Sequence, residues 1–360
     1  MRTRSKVDFL NSVDNIDFLT MKTTTDISSS PIDIVIPWVD GDDPKIAMKR
    51  EQYRGNIGQG KHSSAHPTRF ASTNEIRYCV LSILKFAPFV RTIYILTDEQ
   101  DPYVYDEVKK HFPNRLSSIK IISHKHIFSG YEEFLPTFNS ISIGNMAWRI
   151  DNLSENFVYF NDDVFLIRDV VPEDWVLEGR PVLRGRWRIA PIIKIAKQRF
   201  RKFYHHQILG EKNFQPKFSY YIVQWNAARV LGMRFRFFFN CHTPHVMNKK
   251  RIQSFYNSNI DLLKENIASR FRNQSQFNIT TLSNHLELLN GNKNTARLNL
   301  GYLVPSMYSE RKLIAKMRRI NKDARVKSVC IQSLDTALPS TQQKIFSWMD
   351  NILGLEPSDQ

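Results

Sequence analysis

Ile32-Asp33-Ile34-Val35-Ile36 runs directly into Pro37-Trp38-Val39-Asp40-Gly41-Asp42-Asp43, and the reading of this stretch decides the fold. Four of its first five residues are β-branched, which suits a short buried strand. The acidic, turn-rich loop that follows ends that strand. In an open α/β sheet, ligands bind beyond the carboxyl ends of the strands, so an acidic loop at such a place is a candidate site. An ordinary surface turn has the same composition.

Upstream, residues 1–30 are polar and mixed in charge, and Ser28-Ser29-Ser30-Pro31 reads as a linker into the folded part. Downstream, residues 55–68 are rich in Gly, His and Ser and read as a mobile loop. Between Asn74 and Phe86, helical spacing puts Ile76, Val80, Ile83 and Leu84 on one face, and Pro88 stops the helix. Residues 91–97 form the next predicted strand, residues 103–111 a helix and residues 119–122 a further strand. A fourth strand, Phe157-Val158-Tyr159-Phe160, runs into Asn161-Asp162-Asp163. Alternating strands and helices predict a Rossmann-type, mostly parallel sheet. Past residue 180 the chain turns basic: residues 184–206 are dense in Arg, Lys, His, Trp and Tyr, residues 246–290 read as mainly helical, and residues 309–327 include Arg318-Arg319.

The chain has 360 residues, 42% hydrophobic and 12% aromatic, enough to bury a substantial core. Its 51 Lys+Arg against 35 Asp+Glu give a net charge of +16. That favours a polyanion: nucleic acid, a phosphorylated polymer or an anionic membrane face. No DNA- or RNA-binding signature is present, so nucleic acid is not the expected partner. Cys79, Cys241 and Cys330 lie far apart and form no CxxC pair, which fits a reducing compartment. No secretory signal or membrane-spanning run is seen, so a cytoplasmic protein is expected, with any association with the inner membrane peripheral.

Four places carry candidate chemistry. Asp162 and Asp163, beyond a buried strand, offer the hard oxygen ligands that Mg2+ or Mn2+ needs; a turn or helix cap is the competing reading. Leu135-Pro136-Thr137-Phe138-Asn139-Ser140 offers polar groups to a sugar, or simply a loop with a cap for the next helix. In Cys241-His242-Thr243-Pro244-His245 the histidines are three apart. They can supply a general base for a hydroxyl, a metal-ligand pair or an ordinary turn. Arg272 has the planar fork that binds phosphate bidentately.

Taken together these pieces resemble the Stealth family, which includes bacterial capsular polysaccharide phosphotransferases and the catalytic subunit of the lysosomal-enzyme N-acetylglucosamine-1-phosphotransferase. IDIVIPWVDGDD (residues 32–43) resembles its first motif region. Within residues 74–163, NEIRYCVLSILKFAPFVRTIYILTDEQ, HKHIFSGYEEFLPTFNS and LSENFVYFNDDVFL resemble the second. His242-Thr243-Pro244-His245 resembles the third, and KSVCIQSLD (residues 327–335) the fourth, with Gln332-Ser333 where the family often carries Asn-Asp.

The resemblance implies a GT-A-like α/β fold with a helical, basic C-terminal portion. It also implies transfer of a hexose-1-phosphate, expected to be an N-acetylhexosamine-1-phosphate, from a UDP-sugar to a sugar hydroxyl. UMP leaves, and a phosphodiester-linked capsular or other surface polysaccharide grows as an anionic phosphoglycan acceptor. A conventional metal-dependent glycosyltransferase releasing UDP is the alternative. Asp162 and Asp163 are expected to hold Mg2+ or Mn2+. Asp163, His242, His245 and Arg272 are expected to be catalytic, and Trp38, Asp40, Gly41, Arg77, Asn139, Arg149 and Asn161 to bind substrate. The expected organisation is an extension over residues 1–30, a catalytic domain over 31–335 and a tail helix within 336–360. The catalytic domain divides into a nucleotide-sugar half over 31–180 and an acceptor half over 181–335.

Overall fold

A computed structural model of the chain describes residues 30–54, 74–211 and 214–355. The expected mobile loop at 55–68 and nearly all of the expected N-terminal extension lie outside those residues. Its strands are β1 (Asp33–Pro37), β2 (Ile93–Thr97), β3 (Ile119–Ser123), β4 (Asn156–Tyr159), β5 (Val164–Leu166), β6 (Val176–Leu177), β7 (Arg180–Pro181), β8 (Leu183–Arg184), β9 (Arg186–Ile189), β10 (Arg236–Phe239), β11 (His245–Asn248), β12 (Thr295–Ala296), β13 (Leu300–Leu303) and β14 (Ser328–Ile331).

The opening stretch does form a strand, and it lies at the centre of the main sheet, whose order is β11-β4-β1-β2-β3. β1 pairs in parallel with β2 and with β4, and β2 in parallel with β3; only β11 runs antiparallel, on β4. The fold is therefore α/β with a mostly parallel sheet, as expected. Side chains alternate between two buried layers. Ile34, Ile36, Ile93, Ile95 and Val158 enter one hydrophobic cluster, whereas Val35, Tyr94, Leu96 and Phe157 enter the other. Coverage on both faces explains the apolar stretches at residues 34–36, 93–96 and 157–160.

The helix Glu75–Phe86 covers the first face, beginning at Asn74 and ending before Pro88 as its spacing predicts. Helices Glu310–Lys322 and Pro339–Leu353 contribute Leu313, Ile345, Trp348 and Met349 to the same layer. Helix Pro339–Leu353 falls in the segment expected to hold a tail helix, but its inner face is part of the core. Helices Ser140–Met146, Lys249–Asn257, Ile260–Ile267 and Ile279–Leu289 cover the second face.

The C-terminal portion is less purely helical than its sequence suggests. β11 completes the main sheet, and β14 lies between β13 and β5 in a second sheet. These strands are four residues long and buried throughout β11 and β14, a length at which apolar periodicity does not distinguish strand from helix. The two expected halves thus share one framework. The turn Asn161–Asp163 joins β4 in the first sheet to β5 in the second, which fixes the acidic pair at their junction.

Candidate active site

Asp163 is held by the second sheet: its carbonyl accepts from Ile331 N–H at 2.9 Å and its Oδ2 from the Cys330 thiol at 3.5 Å. Its Oδ1 is buried with no hydrogen-bond partner. Asp163, His242 and Cys330 each present a ligand atom, all within 4.8 Å of one another. Burial raises the Asp162 carboxyl above its usual range, and the adjacent Asp163 charge raises it further. Burial also raises Asp163, with Glu75 adding to the shift and the Cys330 hydrogen bond opposing it. Arg272 pulls both carboxyls back down. Asn161, exposed at the start of the turn, uses its backbone carbonyl to accept from Val164 N–H at 3.1 Å.

Arg272 arrives from the loop after helix Ile260–Ile267 and donates to Ser140 Oγ at 2.7 Å. Burial pulls its guanidinium down; the charges of Tyr220, Tyr159, Asp163 and Asp162 hold it up. A network of amide side chains sets that loop. Asn139, fully buried, donates to Ser269 O and Gln276 Oε1, both at 2.8 Å. Its Oδ1 caps helix Ser140–Met146 by accepting from Ile141 N–H at 3.1 Å. Both ends of the amide are engaged inside the protein, where they tie down the loop that carries Arg272.

The two histidines differ in role. His245 opens β11 opposite Tyr159, and its Nε2 meets Cys241 O at 2.9 Å. Burial lowers its pKa to about 4, so the ring is neutral near pH 7 and braces the turn. His242 is more open, also lowered by burial, and its ring centroid lies 5.6 Å from that of Tyr302. The Tyr302 hydroxyl in turn bonds to Gln332.

The first loop flanks this centre. Trp38 is buried behind β1, and its N–H bonds to Leu96 O at 2.8 Å. Gln100 bonds Asp40 from both sides, accepting from its N–H at 3.0 Å and donating to its carbonyl at 2.9 Å. Gly41 O accepts from Arg50 at 3.2 Å. The Asp335 carboxyl is raised chiefly by burial, with the Asp42 charge adding to the shift.

Two expected substrate contacts have other partners. Arg77 pairs with Glu107 at 2.9 Å and donates to Tyr78 at 3.2 Å. Arg149 donates to the Ile127 and Ser129 carbonyls, both at 2.7 Å, and lies over Tyr131. Both guanidiniums are used in tying helices and loops together. Conversely, Cys330, Glu75, Tyr159, Tyr220 and Tyr302 surround the centre without having been singled out. Of these, Cys330, Glu75 and Tyr159 lie within the quoted motif stretches, whereas Tyr220 and Tyr302 lie outside them.

An acidic pair, an arginine and a neutral histidine come together at the turn that follows β4, the end of a parallel sheet where α/β proteins bind their ligands. Two family models match: Stealth protein conserved region 1 over residues 30–58 and conserved region 2 over residues 69–181. An exopolysaccharide phosphotransferase of Lactiplantibacillus plantarum is 31% identical over 266 residues, which span 68% of this chain and 72% of that protein. A capsular polysaccharide phosphotransferase of Actinobacillus suis is 40% identical over 249 residues, 63% of this chain and 64% of the relative. An exopolysaccharide phosphotransferase of Streptomyces coelicolor is 32% identical over 260 residues, 71% of this chain and 38% of the relative. The chain belongs to the Stealth family. It spans less than two thirds of the length of several such relatives: 38%, 64% and 65% in three cases.

Among solved structures, galactosyltransferase LgtC with donor and acceptor sugar analogs is similar at a TM-score of 0.38 and 13% identity, covering 91% of this chain and 98% of that one. Mouse xyloside xylosyltransferase 1 is similar at 0.35 and 10%, covering 86% and 100%. Likeness at this level has no bearing on reaction or substrate.

Proposed function

We propose that the protein transfers a hexose-1-phosphate from a UDP-sugar to a sugar hydroxyl, extending a phosphodiester-linked surface polysaccharide. The observation that carries this reading is the convergence of Asp162, Asp163, Arg272 and His242 in one partly buried centre. Relatives named as capsular and exopolysaccharide phosphotransferases support it. The acceptor oxygen attacks the sugar-bearing phosphorus, the bond from that phosphorus to the bridging oxygen breaks, and UMP leaves with that oxygen. Phosphoryl transfer of this kind rests on positioning and on neutralising charge rather than on protein covalent chemistry.

Arg272 offers two parallel N–H donors to the transferred phosphoryl oxygens in a site of low polarity, where such bonds are strong. His242, neutral because burial lowers it, accepts the hydroxyl proton, and His245 holds the turn that carries it. Trp38, Asp40, Gly41 and Asn161 line the donor side.

The unpartnered Asp163 Oδ1 and the neighbouring Asp162 carboxyl fit a hard divalent cation, Mg2+ or Mn2+. His242 and Cys330 each have a ligand atom within 4.8 Å of Asp163, close enough to shape the position such an ion would take. Such an ion neutralises diphosphate charge when bound.

The positive surface suits an anionic phosphoglycan acceptor. Peripheral association with the inner membrane from the cytoplasmic side belongs to the same reading. Among the described residues, no helix is long and apolar enough to cross a membrane.

The test is to identify the nucleotide released from UDP-sugars in the presence of Mg2+ or Mn2+ and a short phosphoglycan. UMP, with phosphorus retained in the product, is expected. UDP would mean glycosyl transfer at the same site, and no turnover with any UDP-sugar would refute the proposal.

A further inference from the structure

The helix Ile192–Phe203 lies on the surface and is continued by a π-helical turn at Tyr204–Ile208; neither contains a buried residue. At 3.6 residues per turn, Ile192, Ile193, Ala196, Phe200 and Phe203 share one face. A surface helix ordinarily turns that face to the core. Here it faces solvent: Ile193 is 74% exposed, Phe200 66% and Phe203 58%. The helix leans on the protein along a different edge, where Ile195 packs against the cluster of Trp225 and Phe237, and Gln198 donates to Lys217 O at 2.9 Å. The flank beside the apolar face carries Lys194, Lys197 and Arg201, all exposed, and the helix contains no acidic residue.

We infer that the helix Ile192–Phe203 docks on an anionic phospholipid surface. It lies in the headgroup plane, with Ile193, Phe200 and Phe203 buried in the bilayer boundary and Lys194, Lys197 and Arg201 against lipid phosphates. Charge complementarity selects this occupant. An anionic polymer would engage the basic flank and leave the apolar face wet. The core of a protein–protein interface is depleted of charge, whereas this apolar strip is bordered by lysine and arginine along its length. A bilayer interface accommodates both faces at once. The inference gives the peripheral membrane association proposed above a surface. It stands on the geometry of the helix, and vesicle binding is read without turnover, so its failure is distinguishable from failure of the proposed reaction.

The experiment is co-sedimentation of the full chain with phosphatidylcholine vesicles, with or without about 30% phosphatidylglycerol. Binding is expected to the anionic vesicles, weakly to the neutral ones, and to fall with added salt. Phe200→Asp with Phe203→Asp should weaken it at least about tenfold. Lys194→Glu with Lys197→Glu and Arg201→Glu should weaken it about fivefold per position. Turnover with soluble donor and acceptor should be unchanged in both variants, which confirms that they fold. Absence of binding by the wild-type chain, or binding insensitive to the phenylalanine pair, would overturn the inference. So would sedimentation velocity in which the phenylalanine variant converts an oligomer to monomer while its vesicle binding persists, because the apolar face would then belong to a second copy.

Discussion

Replacing Asn139 with alanine separates a residue that positions from one that binds substrate. The variant loses the cap on Ile141 N–H and the two donations that fix residues 269–276. An N-cap is worth about 1 kcal/mol. Each buried neutral hydrogen bond is worth about 1 kcal/mol net. Both former acceptors keep a second donor: Ser142 Oγ on Ser269 O at 3.2 Å, and Asn273 N–H on Gln276 Oε1 at 2.9 Å. Neither is orphaned, so the total should be about 2–3 kcal/mol rather than the larger cost of unsatisfied groups. Urea unfolding monitored by tryptophan fluorescence measures it. Because Arg272 hangs from that loop, kcat should fall with little change in the KM for donor. Asn139→Asp keeps the cap but sets a carboxylate against two acceptors, so its kcat should fall as well. A rise in KM with stability and kcat intact would show that Asn139 touches substrate and would refute the positioning argument.

Arg272→Ala should lower kcat by about 10²–10³ with little loss of fold, and Arg272→Lys should recover only part because an ammonium lacks the two-pronged geometry; steady-state release of nucleotide checks both. Asp163→Asn should weaken Mn2+ binding by at least about tenfold by calorimetry, and Cys330→Ser by less. Buried His124, His245 and His285 each have a pKa lowered by burial to about 4 from 6.5. Between those values the unfolded chain binds more protons, so stability falls as pH falls, by about 1.4 kcal/mol per pH unit per histidine. Asp162 and Asp163, raised in the fold, act in the opposite sense. Replacing His124 with asparagine should therefore flatten the pH dependence of the urea midpoint in that window. An unchanged slope would refute its assignment as buried and neutral.

The main sheet was legible because its strands are buried on both faces. Residues 34–36, 93–96 and 157–160 read as short apolar segments, and the helix from Glu75 announced itself through Ile76, Val80, Ile83 and Leu84. The acidic pair was legible because it follows such a strand. What stayed hidden depends on pairing between distant segments. Nothing in the pattern around Val164 says that the chain leaves one sheet for another, or that Cys330 returns beside Asp163. The loop around Arg272 is shaped by Asn139, Asn266 and Gln276, and a core of amides has no apolar period to read. Arg77 and Arg149 show the converse: a guanidinium suited to phosphate is equally suited to a carboxylate or to a pair of carbonyls.

The seating of Asp163 on β14 also has a temporal consequence. Its carbonyl and carboxylate meet residues 330 and 331, which leave the ribosome long after β1–β4 have been made. Until that late segment pairs with β5, both aspartates have been made but Asp163 lacks the two partners that seat it. Closing a contact across so long a stretch of chain is slow. A chain interrupted before β14 therefore leaves Asp163 without Ile331 and Cys330, so the seating of the acidic pair is among the last features of the fold to form.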